Sequence, residues 1–404
     1  GPFEIPESWE WVRLGDISNY GQCENVDVSR ISLESWTLEL EDIEKDTAKI
    51  IAFQNIKKRP LKGVRHRFLA GDVLYSKLRT YLNKVLVAPK DGYCTTEIIP
   101  IKSYSGISSN YMCYVLRSNY YLDYTSSLGF GVKMPRLSTN DAIKSLIPIP
   151  PYNEQIRIVK AIQDACDTLE RIESAQENVT RQISLIKSKI LSLAISGDLV
   201  PQDPNDEPAI ELLKRINPDF KPCDNSHYEN ELPDGWCLAH LEDVAEYGDT
   251  TNEDIASISP DSWILELEDI EKDSARILCL KTKEERDING VRHSFKTGQI
   301  LYSKLRTYLN KVLIAPKDGF CTTEIVPITA GAAITPEYLL VVLRSPYFLD
   351  YTESCGYGVK MPRLGTNDAK KAIIPVPPIE EQRRIVKKAA ELMTILSSLT
   401  EELL

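Results

Sequence analysis

A chain of 404 residues that is 42% hydrophobic and 26% charged can bury two ordinary cores, so two domains are the starting expectation. No run approaches the roughly 20 apolar residues of a membrane span, and the N-terminus lacks a charged-then-apolar leader, which points to a cytoplasmic protein with no membrane partner. The net charge of −11 speaks against indiscriminate nucleic-acid binding yet can hide a local field of opposite sign. Nine cysteines without a CxxC pair and four histidines argue against a zinc site and a disulfide framework.

In chain order, residues 1–150 form a first block. Within it WTLELEDI (36–43), DVLYSKL (72–78) and KVLVAP (84–89) read as short strands, with turns around GDV, YLNK and PKDGY. Short helices are expected over 110–118 and 141–145. The class is α/β (α+β) with a mixed sheet. Pro150-Pro151 then opens a helix whose apolar residues, from Ile156 through Ile172 and Ile186 to Leu193, recur at threes and fours. That is a heptad seam needing a partner, and the spacer is placed at 151–198. Residues 199–232, rich in Pro, Asp and Asn, read as a linker with one short helix near 209–215. A second block spans 233–378, and a second helix, 379–404, stops some twenty residues sooner than the first, so it is either naturally short or truncated.

The second block is the first block again. At an offset of 227, Trp36 meets Trp263, GVRH (63–66) meets 290–293, and LYSKLRTYLNKVL (74–86) recurs letter for letter at 301–313. Between residues 71 and 98, 24 of 28 positions match; between 51 and 62, one of twelve does. So long a period is a whole domain with its connection, not a solenoid unit.

Chemistry-bearing motifs are few. Pro150-Pro151-Tyr152 has Ile149 where an amino methyltransferase needs Asn or Asp, and prolines in a helix's first turn account for it. There is no glycine-rich cofactor loop and no GxxxxGK[ST]. LELEDIEKD (38–46, again at 265–273) reads as a strand end on a solvated or partner-facing surface. The basic stretches are more informative. Residues 63–90 hold six basic residues and one acid, 290–317 six and none, with tyrosines set among them. A solvated sheet face explains either one alone. Their duplication favours a polyanion. The GVKMPRL turn adds Lys133 and Arg136 beside Gly129 and Gly131, although a plain tight turn remains open there.

Taken together, LEDIEKD, GDVLYSKLRTYLNKVLVAPKDGYCTTEI, GVKMPRL, IPIPPYNEQIRIVK and LSLAISGDLVPQDPNDEPA resemble the specificity (S) subunits of type I DNA restriction-modification systems. The resemblance implies two similar globular target-recognition domains (1–150 and 233–378) joined by long antiparallel coiled-coil helices in a pseudo-twofold internal repeat. It implies that double-stranded DNA is read as a split site, and that two methyltransferase (M) subunits dock on the helices. A restriction (R) subunit would complete the system. S-adenosylmethionine and ATP belong to those partners, and this chain carries no catalytic residue, cofactor or metal. The expected DNA-binding residues are Arg65, Lys77, Arg79, Tyr81, Lys84, Lys133 and Arg136, with Arg292, Lys304, Arg306, Tyr308, Lys311, Lys360 and Arg363. Base choice is expected where the copies differ, over 47–62 with 274–289 and 101–110 with 328–337. Gln54, Asn55 and Lys57 there face Lys281, Thr282 and Glu284.

Overall fold

The computed structural model of the chain describes residues 1–129, 133–224, 228, 231–355 and 360–403 and divides into two compact units, Gly1–Ile172 and Glu173–Leu404. The first contains β1 (Glu10–Arg13), α1 (Leu14–Ile17), β2 (Glu24–Asp27), β3 (Trp36–Leu38), β4 (Gln54–Asn55), β5 (Val64–Phe68), β6 (Val73–Ser76), β7 (Val85–Val87), β8 (Gly92–Cys94) and β9 (Ile98–Ile101). Three helices follow, α2 (Ser109–Arg117), α3 (Asn119–Leu128) and α4 (Thr139–Lys144), then β10 (Leu146–Ile149) and α5 (Tyr152–Ser196), which continues into the second unit.

That unit adds α6 (Ala209–Ile216), β11 (Cys237–His240), α7 (Leu241–Val244), β12 (Ala245–Tyr247), β13 (Asn252–Asp254), β14 (Ile264–Leu265), β15 (Val291–Phe295), β16 (Ile300–Ser303), β17 (Val312–Ile314), β18 (Gly319–Thr322) and β19 (Ile325–Ala330). It closes with α8 (Pro336–Arg344), α9 (Pro346–Cys355), α10 (Thr366–Lys370), β20 (Ile373–Val376) and α11 (Ile379–Leu403). Among the described residues no helix is long and apolar enough to cross a membrane.

The strand pairings repeat at the sequence offset. Sheet order β2-β5-β8-β3-β4 in the first unit corresponds to β13-β15-β18-β14 in the second, and β7-β6-β9 to β17-β16-β19 with β12 added. Both larger sheets are mixed, because β3 runs parallel to β8 and β14 to β18 while the other pairings are antiparallel. His66 sits opposite Cys94, and His293 opposite Cys321.

Packing explains much of the repeated thirteen-residue stretch. In β6, Val73 and Tyr75 enter the core under α2 and α3, whereas Leu74 enters a second core with Trp36 and Phe68. In β16, Ile300 and Tyr302 divide from Leu301 in the same way. A strand alternates faces with period two, so one buried between two cores has no tolerant position. Burying Leu74 or Leu301 completely contributes about 2 kcal/mol each.

The helices begin as the Pro-Pro signal implies, but the next residues fasten them. Buried Gln155 accepts from Ser108 N (2.9 Å) and donates to the carbonyls of Gly106 (3.2 Å) and Pro150 (2.9 Å). Gln382 does the same with Thr335 N, Ala333 O and Pro377 O. One residue earlier, Glu154 and Glu381 accept from the indoles of Trp9 and Trp236.

Two expectations change with the structure, and one helix is added. LELEDIEKD does hold a strand end, β3 stopping at Leu38, and its Glu41, Glu44 and Asp46 are exposed, but a 3-10 turn takes Leu40–Asp42 and Asp42, like Asp269, is buried. The stretch at 119–128 folds as α3, started by Ser118, whose side chain accepts from Tyr121 N. The segment 199–232 packs inward, with Ala209, Leu213 and Phe220 in the second unit's core. Its Asp206 pairs with Arg384 of α11 at 2.7 Å.

Of the heptad seam, Ile190 is covered by Ala389 and Leu396 of α11. Ile156, Leu169 and Ile172 in the first unit and Ile186 in the second stay exposed, as does Leu185, which lies off the seam.

Candidate nucleic-acid interface

The polypeptide leaves β6 into a 3-10 turn, Thr80–Leu82, bounded by two left-handed residues, Arg79 (φ 50, ψ 59) and Asn83 (φ 52, ψ 43). Arg306 and Asn310 bound the equivalent turn with nearly the same angles. An L-residue with a long side chain enters this region at a cost of roughly 1–2 kcal/mol. The surrounding frame holds it there: Arg79 N donates to Pro135 O, and Arg306 N to Pro362 O, both at 2.8 Å. The adjoining turns at Asp46 and Ala48, and at Asp273 and Ala275, are left-handed too. They are held by Arg117, which donates to the Asp46 and Thr47 carbonyls, and by Arg344, which donates to the Asp273 carbonyl.

Against this frame the cations expected at DNA fall into two groups. The first is committed inside each unit. Arg65 pairs with Glu39 and Arg292 with Glu266, both at 2.8 Å and both largely enclosed. Arg136 forms a forked pair with Glu97 at 2.9–3.2 Å, and Arg363 with Glu324 at 2.8–3.1 Å. These hydrogen bonds raise both arginines' pKa and hold the Glu324 carboxyl below its ordinary value. Lys84 Nζ donates to Leu40 O and Lys311 Nζ to Leu267 O, both at 2.7 Å, and burial lowers both ammonium pKa values.

The second group consists of Lys77, Arg79 and Lys133, with Lys304, Arg306 and Lys360. Among the described residues these form no ion pair. Beside them Tyr81 and Tyr308 are 51% and 48% exposed, the most open aromatic rings of the repeated stretch. Gly131 of the GVKMPRL turn lies outside the described residues. Gly129 has an internal reason to be glycine, since a Cβ there would meet Pro135 at 2.6 Å.

The two divergent stretches also separate. Residues 106–108 and 333–335 are tied to Gln155 and Gln382, at the helix attachment. Residues 51–62 and 278–289 instead lie on the sheet edge and fold differently. Gln54 and Asn55 form β4 against β3, with Thr37 opposite Gln54. In the second unit Thr282 makes one bridge to Trp263 and then starts a 3-10 turn, Lys283–Glu285, through a Thr–Glu capping box. Asn55 and Lys57 both reach Glu34 at 3.2 Å. Lys281 supplies a carbonyl to Ile264 N, and Glu284 N donates to Pro260 O.

Each unit therefore presents unpaired cations and an exposed tyrosine on a frame in which Arg65, Lys84 and Arg136, with Arg292, Lys311 and Arg363, are engaged internally. Such a surface can hold phosphates without being collapsed by its own carboxylates. Among the described residues no group of three or more His, Cys, Asp or Glu is placed to hold a metal ion.

Comparisons with known proteins agree on one kind of relative. The chain is 23% identical over 298 residues to the Escherichia coli type I restriction enzyme EcoDI specificity subunit, covering 73% of this chain and 65% of that subunit. The match thus spans slightly less than two thirds of that relative. It is 24% identical over 492 residues to the E. coli EcoAI specificity subunit, covering 98% of this chain and 80% of the relative. Among solved structures, one describing complex assembly and conformational transition of the type I R-M system covers all of this chain and 94% of its own at 19% identity, with TM-score 0.66. The HsdS subunit from Thermoanaerobacter tengcongensis covers the same shares at 18% identity and TM-score 0.57. At these identities the structural likeness speaks for the fold. No protein-family model matches the chain.

Proposed function

From a chain whose curated homologues are specificity subunits of type I restriction enzymes, we propose a DNA-reading subunit that recognises a bipartite target, one half-site per unit. The chain would perform no chemistry itself. Methylation would belong to methyltransferase subunits that carry S-adenosylmethionine, and cleavage to an ATP-dependent restriction subunit.

The observation that carries this reading is the pair of equivalent, unpaired cation clusters. Lys77, Arg79 and Lys133 in one unit, and Lys304, Arg306 and Lys360 in the other, would grip phosphates. Tyr81 and Tyr308 would pack on sugars, and the sheet-edge segments would choose bases. The exposed apolar positions of α5, Ile156, Leu169, Ile172, Leu185 and Ile186, suit the docking of two methyltransferase subunits. Exposed apolar side chains along a helix are of the kind that a partner covers.

The deciding experiment is single-molecule methylome sequencing of cells that carry the chain with its methyltransferase partner. A split motif with two short halves across an unread gap is expected. A continuous motif would remove the one-half-per-unit reading. Purified alone, the chain should transfer no methyl group from S-adenosylmethionine. Its affinity for duplex should fall steeply with salt, which a protein-binding scaffold would not show.

A further inference from the structure

The single identity in the divergent twelve residues is Arg59 with Arg286, and it marks a closure. Ile51 N donates to the Asp42 carbonyl at 2.8 Å, opening the segment. Eight residues later the Arg59 guanidinium takes the same residue's carboxylate at 2.8 and 2.6 Å. The remaining capacity of that carboxylate goes to Glu39 N at 2.8 Å. In the second unit Leu278 N donates to Asp269 O at 2.7 Å, Glu266 N to the Asp269 carboxylate at 2.7 Å, and Arg286 closes on that carboxylate. One buried aspartate therefore holds both ends of a loop of equal length in each unit.

What lies between the ends is free to differ, and it does so in backbone as well as in side chain: β4 in one unit, a capped 3-10 turn in the other. Both loops nevertheless expose large apolar side chains at matching positions. Ile51 and Leu278 are 65% and 52% exposed, Phe53 and Leu280 50% and 56%. Phe53 leans its inner side on Trp36, with ring centroids 5.0 Å apart, and lies under Lys90 Nζ at 4.7 Å; the open sides of two apolar pairs at the same places, in loops that share no residue, point to a common surface that they meet. Apolar contact with the thymine methyl is an ordinary way of reading the major groove.

Resting on the DNA-reading role proposed above, we propose that the aspartate-closed loops 51–58 and 278–285 are interchangeable base-selecting elements, with Ile51, Phe53, Leu278 and Leu280 touching base edges. Arg59 and Arg286 are positioning residues that fix each loop to the common frame.

The test is a loop exchange in the full chain, expressed with its methyltransferase partner. Residues 51–58 are replaced by the sequence of 278–285, leaving Asp42 and Arg59 in place, and the methylated motif is mapped. The expected result is that the first half-site becomes the second, while the second is unchanged. A parental motif with normal methylation overturns the proposal. Should the chimera be inactive, F53L and Q54K decide: an altered or relaxed first half-site supports the proposal, an unchanged one overturns it. For the anchor, R59M should lower discrimination at the first half-site by about tenfold or more and leave the second half-site and non-specific affinity intact, with R59K restoring part of it. Equal loss at both halves would make Arg59 merely structural. If the parent chain itself directs no split motif, the DNA-reading role fails, which is a different result from a motif that ignores the loops.

Discussion

Replacing Arg79 and Arg306 together by glycine separates charge from fold. Both residues stand at φ 50, ψ 59. Glycine removes a left-handed penalty of roughly 1–2 kcal/mol per site and costs about 0.5–1 kcal/mol per site in chain entropy. Stability should change little, with Tm moving by only a few degrees. Binding should respond strongly. If all six unpaired cations, Lys77, Arg79, Lys133, Lys304, Arg306 and Lys360, meet phosphates, log K against log salt has a slope of about −5.4, and the double variant about −3.6. Fluorescence anisotropy on a non-specific duplex across a salt series gives both slopes, and scanning calorimetry gives Tm. Unchanged slopes with normal stability would refute the phosphate role. A large drop in Tm would show instead that the guanidinium groups hold the turn together.

Gln382→Ala leaves Thr335 N, Ala333 O and Pro377 O without their partner, which should cost about 3 kcal/mol and lower the calorimetric transition of the second unit by roughly 6–12 °C. Arg286→Met strands the buried Asp269 carboxylate, for about 3–5 kcal/mol; adding Asp269→Asn should recover part of it in a denaturant double-mutant cycle. Burial, opposed by the Ile98 carbonyl bond and aided by Lys77, lowers the His66 pKa from 6.5. The folded state therefore favours the neutral ring, and this stabilisation is present above pH 6.5 and lost as pH falls through the lower folded value. His66→Asn should flatten the first unit's Tm between pH 7.5 and 5, and an unaltered acid slope would assign it elsewhere.

The internal repeat, the mixed helix-and-strand class, the Pro-Pro helix starts and the long heptad helix were legible in the residues themselves. Each is a local pattern: a short, largely apolar run bounded by turns for β6, threes and fours for α5, a proline pair that cannot sit inside a helix. The α3 helix was missed because its polar and tyrosine-rich face gives little periodicity, although Ser118 at its start was a usable signal. Residues 199–232 read as linker because their prolines and aspartates dominate, yet Leu213 and Phe220 find a core.

Charge was the quantity that only three dimensions could assign. Arg65 and Lys77 look alike in sequence, but Glu39 lies 26 residues from Arg65 and Glu97 lies 39 from Arg136. Whether a cation stays open depends on which carboxylate the sheet brings within 4 Å, and Coulomb attraction at that range depends on folded distance rather than sequence separation. For the same reason Asp42, read as a surface acid, became the clasp of a loop.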